Sequence, residues 1–294
     1  MTDEKLPNKI VIIGVGLIGG SIALGLRKRC GNKITIIGFC SDPERTKLAK
    51  SRGIVDKAVE DIGDIPVDAR LIILATPVQA TIHILTKLAR TIKHPALIID
   101  VGSTKKIICH HAPKILPAWL TFIGTHPMAG KETSGFETAE SDLFRGKPWI
   151  ICVSRTADKN QLILVKILVK LLGSKPVIMD PVKHDQLIAW ASHLPLVLTS
   201  ILVSSIAKQP QWGNIAKLAS TGFRDTTRLA SENPTMKKDI ALTNKKNLLT
   251  AIKHIRQEID LFSAFLKRSD DKAIFTYFNR AKLERDNWLK LAQF

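Results

Sequence analysis

The chain has 294 residues, enough for two ordinary domains, and 45% of them are hydrophobic, enough for buried cores. Its 44 basic and 26 acidic residues leave a formal net charge of +18, which suits nucleic acid, an acidic membrane surface or a small anionic substrate. The basic residues are spread along the chain and aromatics make up only 5%, which argues against a stacking platform for nucleic acid.

The organising stretch is Lys9 to Arg27. An apolar β-branched run, Ile10 to Ile13, leads into Gly14, Gly16 and Gly19 in G-x-G-x-x-G spacing, with Leu17 and Ile18 inside the motif. Helical periodicity follows through Ile22, Ala23 and Leu26. Strand, glycine turn and helix are the context a dinucleotide fingerprint requires. Gly14 allows the tight turn, Gly16 lets backbone approach a pyrophosphate, and Gly19 lets the helix pack on its strand. The helix N-terminus then offers free N–H groups and a positive dipole end to the phosphates.

The second strand spans 34–39. An acid at its end would grip the ribose of NAD, but Cys40 and Ser41 stand there and Asp42 follows. Ser41 and Arg45 suit a 2′-phosphate, whereas Asp42 reaching back suits the ribose hydroxyls, so these residues fit NAD or NADP. A helix over 43–52 follows. The third strand, 71–75, ends at Ala75-Thr76-Pro77, where Pro77 suits the first turn of a helix and a dinucleotide would pass. Further strands span 96–101, 122–125, 149–153 and 176–179, with a helix over 159–172 before the last. This alternation predicts an α/β fold: a Rossmann-type, doubly wound, mostly parallel sheet over residues 1–180.

From Val182 the pattern is helical. Leu187, Ala191, Leu194, Leu198, Ile201 and Ser205 share one face of a helix long enough to span a bilayer. His193, Pro195 and the serines and threonines argue against that and for burial between helices. Leu248, Ile252, Ile255, Ile259, Phe262 and Leu266 form a second stripe, and a third helix runs over 271–291. Such wide apolar faces predict an all-α dimerisation domain over 181–294 and a homodimer. The four cysteines, Cys30, Cys40, Cys109 and Cys152, lack metal spacing. They read as reduced, buried residues of a cytoplasmic protein without a metal site. The N-terminus MTDEKLPNK does not read as a signal peptide.

Polar residues at strand C-termini are the functional positions of an open α/β sheet. His126 and Ser103 hold such positions, and a histidine there has a pKa suited to taking a proton from a substrate hydroxyl. His184 and His193 flank the domain junction. His83, His94, His110, His111 and His254 read as solvated. In the 221–230 segment Arg228 suits a bidentate clamp on a carboxylate, with an internal Arg–Asp surface pair as the equal alternative.

The stretches GVGLIGGS (14–21), DVGSTK (100–105), GTHPMAGKETSGF (124–136), HDQLIAWASHLP (184–195) and GFRDTTRLASENPTM (222–236) together resemble the prephenate/arogenate dehydrogenase family of tyrosine biosynthesis. The resemblance implies oxidative decarboxylation of prephenate to 4-hydroxyphenylpyruvate with NAD or NADP. Arogenate, giving tyrosine directly, is the alternative substrate. It implies that His126 is the base and that Ser103 bonds both the ring hydroxyl and the nicotinamide side. Ser192, His193 and Gly222 would line the substrate pocket, and Arg228 would bind the side-chain carboxylate. Glu132 and Asp225 would form the ionic network that holds Arg228.

Three departures from the family pattern stand out: Leu196 where many members have a second histidine, Lys237 where many have tryptophan, and Cys40 in place of the ribose-binding acid. The sequence carries no chorismate-mutase or regulatory segment, so the expectation is a monofunctional enzyme. A β-hydroxyacid-type dehydrogenase is the enzyme rival, with Lys183 as its poorly placed lysine. A non-catalytic nucleotide-sensing or nucleic-acid-binding protein is the rival of another class. The favoured partners are a small anionic substrate and a second copy of the chain, with no nucleic acid and no membrane.

Overall fold

The computed structural model describes residues 6–153 and 157–292, so the charged residues 1–5 lie outside it. The first part of the chain runs β1 (Lys9–Ile13), α1 (Leu17–Cys30), β2 (Thr35–Phe39), α2 (Pro43–Ser51), β3 (Lys57–Ala58), β4 (Leu71–Leu74), α3 (Val78–Thr91), β5 (Ala96–Asp100), α4 (Lys106–Ile115) and β6 (Leu120–Pro127). It continues with β7 (Pro148–Cys152), α5 (Lys159–Leu171) and β8 (Lys175–Ile178). The sheet order is β3-β2-β1-β4-β5-β6-β7-β8. Ile10 to Ile13 are fully buried, as expected for a central strand covered on both faces. Ile10 and Ile12 pack with α1, α2 and α5 residues such as Leu26, Ala49 and Leu168. Val11 and Ile13 pack with Leu85 and Leu88 of α3 and Ile108 of α4 on the other face. The winding is therefore double.

The sheet is mostly parallel, as expected: β3 through β6 run parallel, and the exception lies beyond them. β7 runs antiparallel to β6, and β8 pairs parallel with β7. Residues 128–147 contain only a 3₁₀ turn at Phe136–Thr138. Without a crossover helix the chain returns in the opposite sense. β3, with two residues, is too short to leave a periodic signal.

Asp180 accepts the amides of Val182 and Lys183 at 2.8 and 3.0 Å and starts α6 (Pro181–Ile188). The expected single long helix is interrupted: Ala189–His193 is a π-helical turn, and α7 (Leu194–Ala207) follows with Pro195 in its first turn. Proline has no N–H and its ring crowds the preceding turn, and a wider turn absorbs that crowding. Pro181–Ala207 is long and apolar enough to cross a membrane by length and composition, with mean hydropathy 1.7. Next come α8 (Trp212–Leu218), α9 (Thr221–Thr227) and α10 (Pro234–Thr243).

The chain forms two compact units, Met1–Lys245 and Lys246–Phe294. Residue 180 marks a change of element type, whereas compactness divides the chain after Lys245. The second unit comprises α11 (Lys245–Lys267), apart from its first residue, and α12 (Asp271–Ala292). Phe262 packs on Tyr277 and Phe278. Ile259, Phe275 and Leu283 are more than half exposed.

Candidate active site

The strand order reverses between β1 and β4, the switch point outside whose strand carboxyl ends an open α/β sheet binds its ligand. Gly14 has φ +97°, and a Cβ on it would stand 2.4 Å from the Ala75 carbonyl oxygen. A Cβ on Gly19 would stand 2.2 Å from the Gly14 carbonyl oxygen, while one on Gly16 would meet nothing within 4 Å. Gly14 and Gly19 thus serve the turn and the packing, and Gly16 leaves open space at the start of α1. Gly16 is the N-cap of α1 and has no side chain to close the end. That open, uncapped N-terminus fits a pyrophosphate.

Around the ribose position, the Cys40 thiol accepts the Val15 amide at 3.3 Å, so it faces the glycine turn. Ser41 is exposed. Asp42 caps α2 by accepting the Glu44 amide at 3.0 Å. Arg45 lies 3.5 Å from Glu137 and 5.7 Å over the Phe136 ring. Its guanidinium is thus already engaged. Pro77 is the N-cap of α3 and not its first helical residue. The Thr76 and Thr81 hydroxyls bond at 2.9 Å beside it.

A cavity of about 450 Å³ lies against the start of α1. Leu17, Ile18, Ser103, His126, Glu132, Ser192 and Arg228 line it. His126 sits near the end of β6, and Ser103 follows β5. Arg228 forms an ion pair with Glu132, which lowers the Glu132 pKa and raises that of Arg228. The pair is partly exposed, so about 0–1 kcal/mol of stability is at stake and both groups remain available to a ligand.

Other candidates lie elsewhere. Asp225 pairs with Arg224 on an exposed face and does not reach Arg228. The expected three-member network is therefore two residues within one chain. Gly222 is exposed at the start of α9, outside the cavity. His193 is buried behind the lining, faces the Ser103 backbone and takes a hydrogen bond from Asn244 Nδ2 at 3.1 Å. Burial pushes its pKa down to about 4. Ser192 beside it does line the cavity, in the π-helical turn. His94, expected to be solvated, bonds the Ala69 carbonyl at 3.1 Å.

His126 is buried, and its Nδ1 lies 2.9 Å from His184 Nε2. Burial first, then His184, Lys105 and His193, holds its pKa well below the ordinary value, so the ring is unprotonated at neutral pH and suited to accept a proton. His184 Nδ1 in turn lies 2.8 Å from Asp185 Oδ1. Beneath them Lys105 and Asp100 form a fully buried ion pair, and Lys105 also bonds the Thr125 carbonyl at 2.7 Å. Burial pushes the Asp100 carboxyl up, and Lys105 with the Gly102 and Thr125 amides opposes that shift.

Several participants had no role assigned from the sequence. His184 and Asp185 form a polar pair at the start of a helix, which was a visible signal. Lys147, which belongs to no quoted motif, and Glu232, which lies in the 222–236 stretch but was given no role, also line the cavity. Burial raises the Glu232 pKa. Lys147 is half-buried and has no carboxylate partner among the described residues. Leu196 contributes apolar wall. Lys237 bonds the Ala230 carbonyl at 2.6 Å and the Ser200 hydroxyl at 3.2 Å, outside the cavity.

Two family profiles match the chain: "Prephenate dehydrogenase, nucleotide-binding domain" over residues 22–178 and "Prephenate dehydrogenase, dimerization domain" over 180–280. A prephenate dehydrogenase of Bacillus subtilis (strain 168) is 35% identical over 285 residues, covering 96% of this chain and 76% of that protein. A crystal structure of prephenate dehydrogenase from A. aeolicus, in complex with hydroxyphenyl propionate and NAD+, superposes with TM-score 0.88 at 31% identity. It covers 95% of this chain and 98% of that one. Synechocystis arogenate dehydrogenase gives TM-score 0.78 at 31% identity, covering 95% and 99%.

Proposed function

The chain belongs to the prephenate dehydrogenase family, and from that premise we propose that it oxidatively decarboxylates prephenate to 4-hydroxyphenylpyruvate with NAD or NADP. The observation that carries this reading is the placement of His126 and Arg228 on one cavity beside the open N-terminus of α1. A base and a carboxylate clamp then face one substrate beside the cofactor site.

Gly14, Gly16, Gly19 and the first turn of α1 would hold the pyrophosphate, and Ala75 to Pro77 would flank its path. Ser41, Asp42 and Arg45 border the ribose. A bound nicotinamide would supply the acceptor for the hydride lost by the ring carbon that bears the hydroxyl. His126 takes the hydroxyl proton, and Ser103 orients that hydroxyl. Arg228 holds the side-chain carboxylate, with Glu132 keeping its guanidinium in place. CO₂ leaves from the opposite ring carbon, its bonding electron pair makes the ring aromatic, and the resulting phenolate oxygen takes the proton back from His126. Aromatisation drives the reaction, so the protein mainly positions the substrate and removes a proton.

The functional boundary falls at 180/181, where α/β elements give way to helices. We assign the apolar faces of the helical segment to a homodimer and not to lipid, because the dimerization profile spans Pro181–Ala207. The setting is cytoplasmic, and the basic surface draws in a small anion without binding nucleic acid.

A two-by-two assay of reduced-nicotinamide absorbance, prephenate or arogenate against NAD+ or NADP+, tests the reading. Reduction with prephenate supports it. Reduction with arogenate alone keeps the mechanism and changes the substrate. No reduction in any combination, from folded protein, overturns it.

A further inference from the structure

Two buried histidines meet at the cavity wall, His126 in the lining and His184 behind it, and their bond raises a question of polarity. Between His126 Nδ1 and His184 Nε2, 2.9 Å apart, one nitrogen must donate and the other accept. The next link decides which. His184 Nδ1 lies 2.8 Å from Asp185 Oδ1. That carboxylate also receives the Lys105 amide on Oδ1 at 2.7 Å and the Lys106 amide on Oδ2 at 3.0 Å. A carboxylate holding two backbone amides at the start of α4 offers His184 only lone pairs. The proton of this link therefore sits on His184 Nδ1.

A neutral His184 protonated on Nδ1 has a bare Nε2, and that lone pair must take the proton of His126 Nδ1. The nitrogen of His126 that remains for the cavity is then Nε2, without a proton. We infer that His184 and Asp185 are a positioning pair that holds His126 in its Nδ1–H tautomer and makes Nε2 the atom that removes the substrate's hydroxyl proton. The other tautomer would present an N–H to a hydroxyl that has to lose its proton. The inference rests on the reading of His126 as base and adds which atom acts and what keeps it ready.

The surroundings agree. Asp185 is tied on three sides, by the Lys105 and Lys106 amides and, through its own carbonyl, by Asn244 Nδ2 at 2.8 Å. His184 and Asp185 are 0% and 1% exposed, so water does not compete for these bonds. The charged or titratable groups facing His126 are His184, His193 and Lys105. Lys105 is neutralised by Asp100, so the Asp185 carboxylate is the one negative charge of this chain of bonds left to steady an imidazolium formed during turnover.

The test is nitrogen NMR of the full-length protein with ¹⁵N-labelled histidine rings, with the His126 signals identified by their loss in His126→Asn. The expected spectrum shows His126 with a protonated Nδ1 and an unprotonated Nε2 near neutral pH. The reverse assignment overturns the inference even if turnover is normal. The expected assignment without turnover on any substrate counts against the enzymatic reading and leaves the tautomer standing.

Kinetics adds a second readout. In His184→Gln an amide oxygen still accepts from His126 and an amide N–H still donates to Asp185; His184→Met keeps neither. The expectation is a kcat within about tenfold of wild type for Gln and lower by about 10²-fold or more for Met, with KM little changed in both. Equal kcat in the two variants would overturn the positioning role. If neither variant folds, the wild-type spectrum alone decides.

Discussion

Asp239 on α10 accepts the backbone amide of Gln79, 160 residues earlier, at 3.2 Å, and so closes the N-terminus of α3. Asp185 does the same for α4 through the amides of Lys105 and Lys106. Neither helix has a local side-chain cap. Two carboxylates from the helical segment thus satisfy the open amide ends of two helices flanking the cofactor crevice. Asp239 is 4% exposed and its bond to Gln79 is partly buried, so its loss removes the partner of an amide that water reaches only in part. Asp239→Ala should cost about 1–3 kcal/mol, read as a lower thermal midpoint at fixed protein concentration. An unchanged midpoint would show that this long-range cap does not hold the helices.

Replacing His126 tests the chemistry. His126→Asn removes the proton acceptor while leaving most of the cavity intact. We expect kcat to fall by about 10²–10⁴-fold with KM nearly constant, because the interaction matters in the transition state. Survival of kcat within a few-fold would take the base role away from His126.

Arg228 should behave in the opposite way. Its guanidinium is partly exposed, and its ion pair with Glu132 orients it. Arg228→Ala removes a charge-assisted bond worth about 1.5–3 kcal/mol, so KM should rise roughly 10- to 150-fold. Glu132→Gln should raise KM less, since the arginine remains. A KM unchanged in Arg228→Ala would place the substrate carboxylate elsewhere in the cavity.

Lys147 is the other cation to examine, because it lines the cavity without a carboxylate partner among the described residues. A half-buried, uncommitted ammonium draws in an anionic substrate by Coulomb attraction, which salt weakens. Lys147→Met should raise KM several-fold at low salt and less at high salt. Equal effects at both ionic strengths would point to lost packing instead of lost charge.

The site was legible in the sequence where chemistry is local. Leu17 and Ile18 of the glycine motif, Ser103 and His126 at strand ends, and Arg228 with Glu132 all belong to short motifs, and all line one cavity. What was not legible depends on pairing across long separations. The family resemblance made Asp225 a partner of Arg228, but within one chain it pairs with Arg224 on the surface, the internal Arg–Asp pair that was the alternative. Asn244 carries no motif, yet it ties Asp185 to His193. The direction of β7 was hidden because strand periodicity is the same for both senses of pairing. The π-helical turn was half visible: Pro195 announced a disturbed helix, and only the packed structure turned a break into a wider turn.

Acid should weaken the fold through its buried imidazoles. In the unfolded chain a histidine takes up its proton near pH 6.5, whereas His193 in the folded protein resists until about pH 4. Between those values the unfolded state binds more protons, so stability falls as the pH is lowered. At about 1.4 kcal/mol per pH unit, His193 alone accounts for roughly 3 kcal/mol. His126, whose pKa is also held down by burial, adds to the loss. The stability should be nearly flat with respect to these groups above pH 6.5. Urea unfolding at matched protein concentration from pH 7.5 to 4.5 measures the effect, and His193→Gln should show a shallower decline than wild type. Parallel curves for the two proteins would mean that His193 is protonated without difficulty in the fold, against the burial seen here.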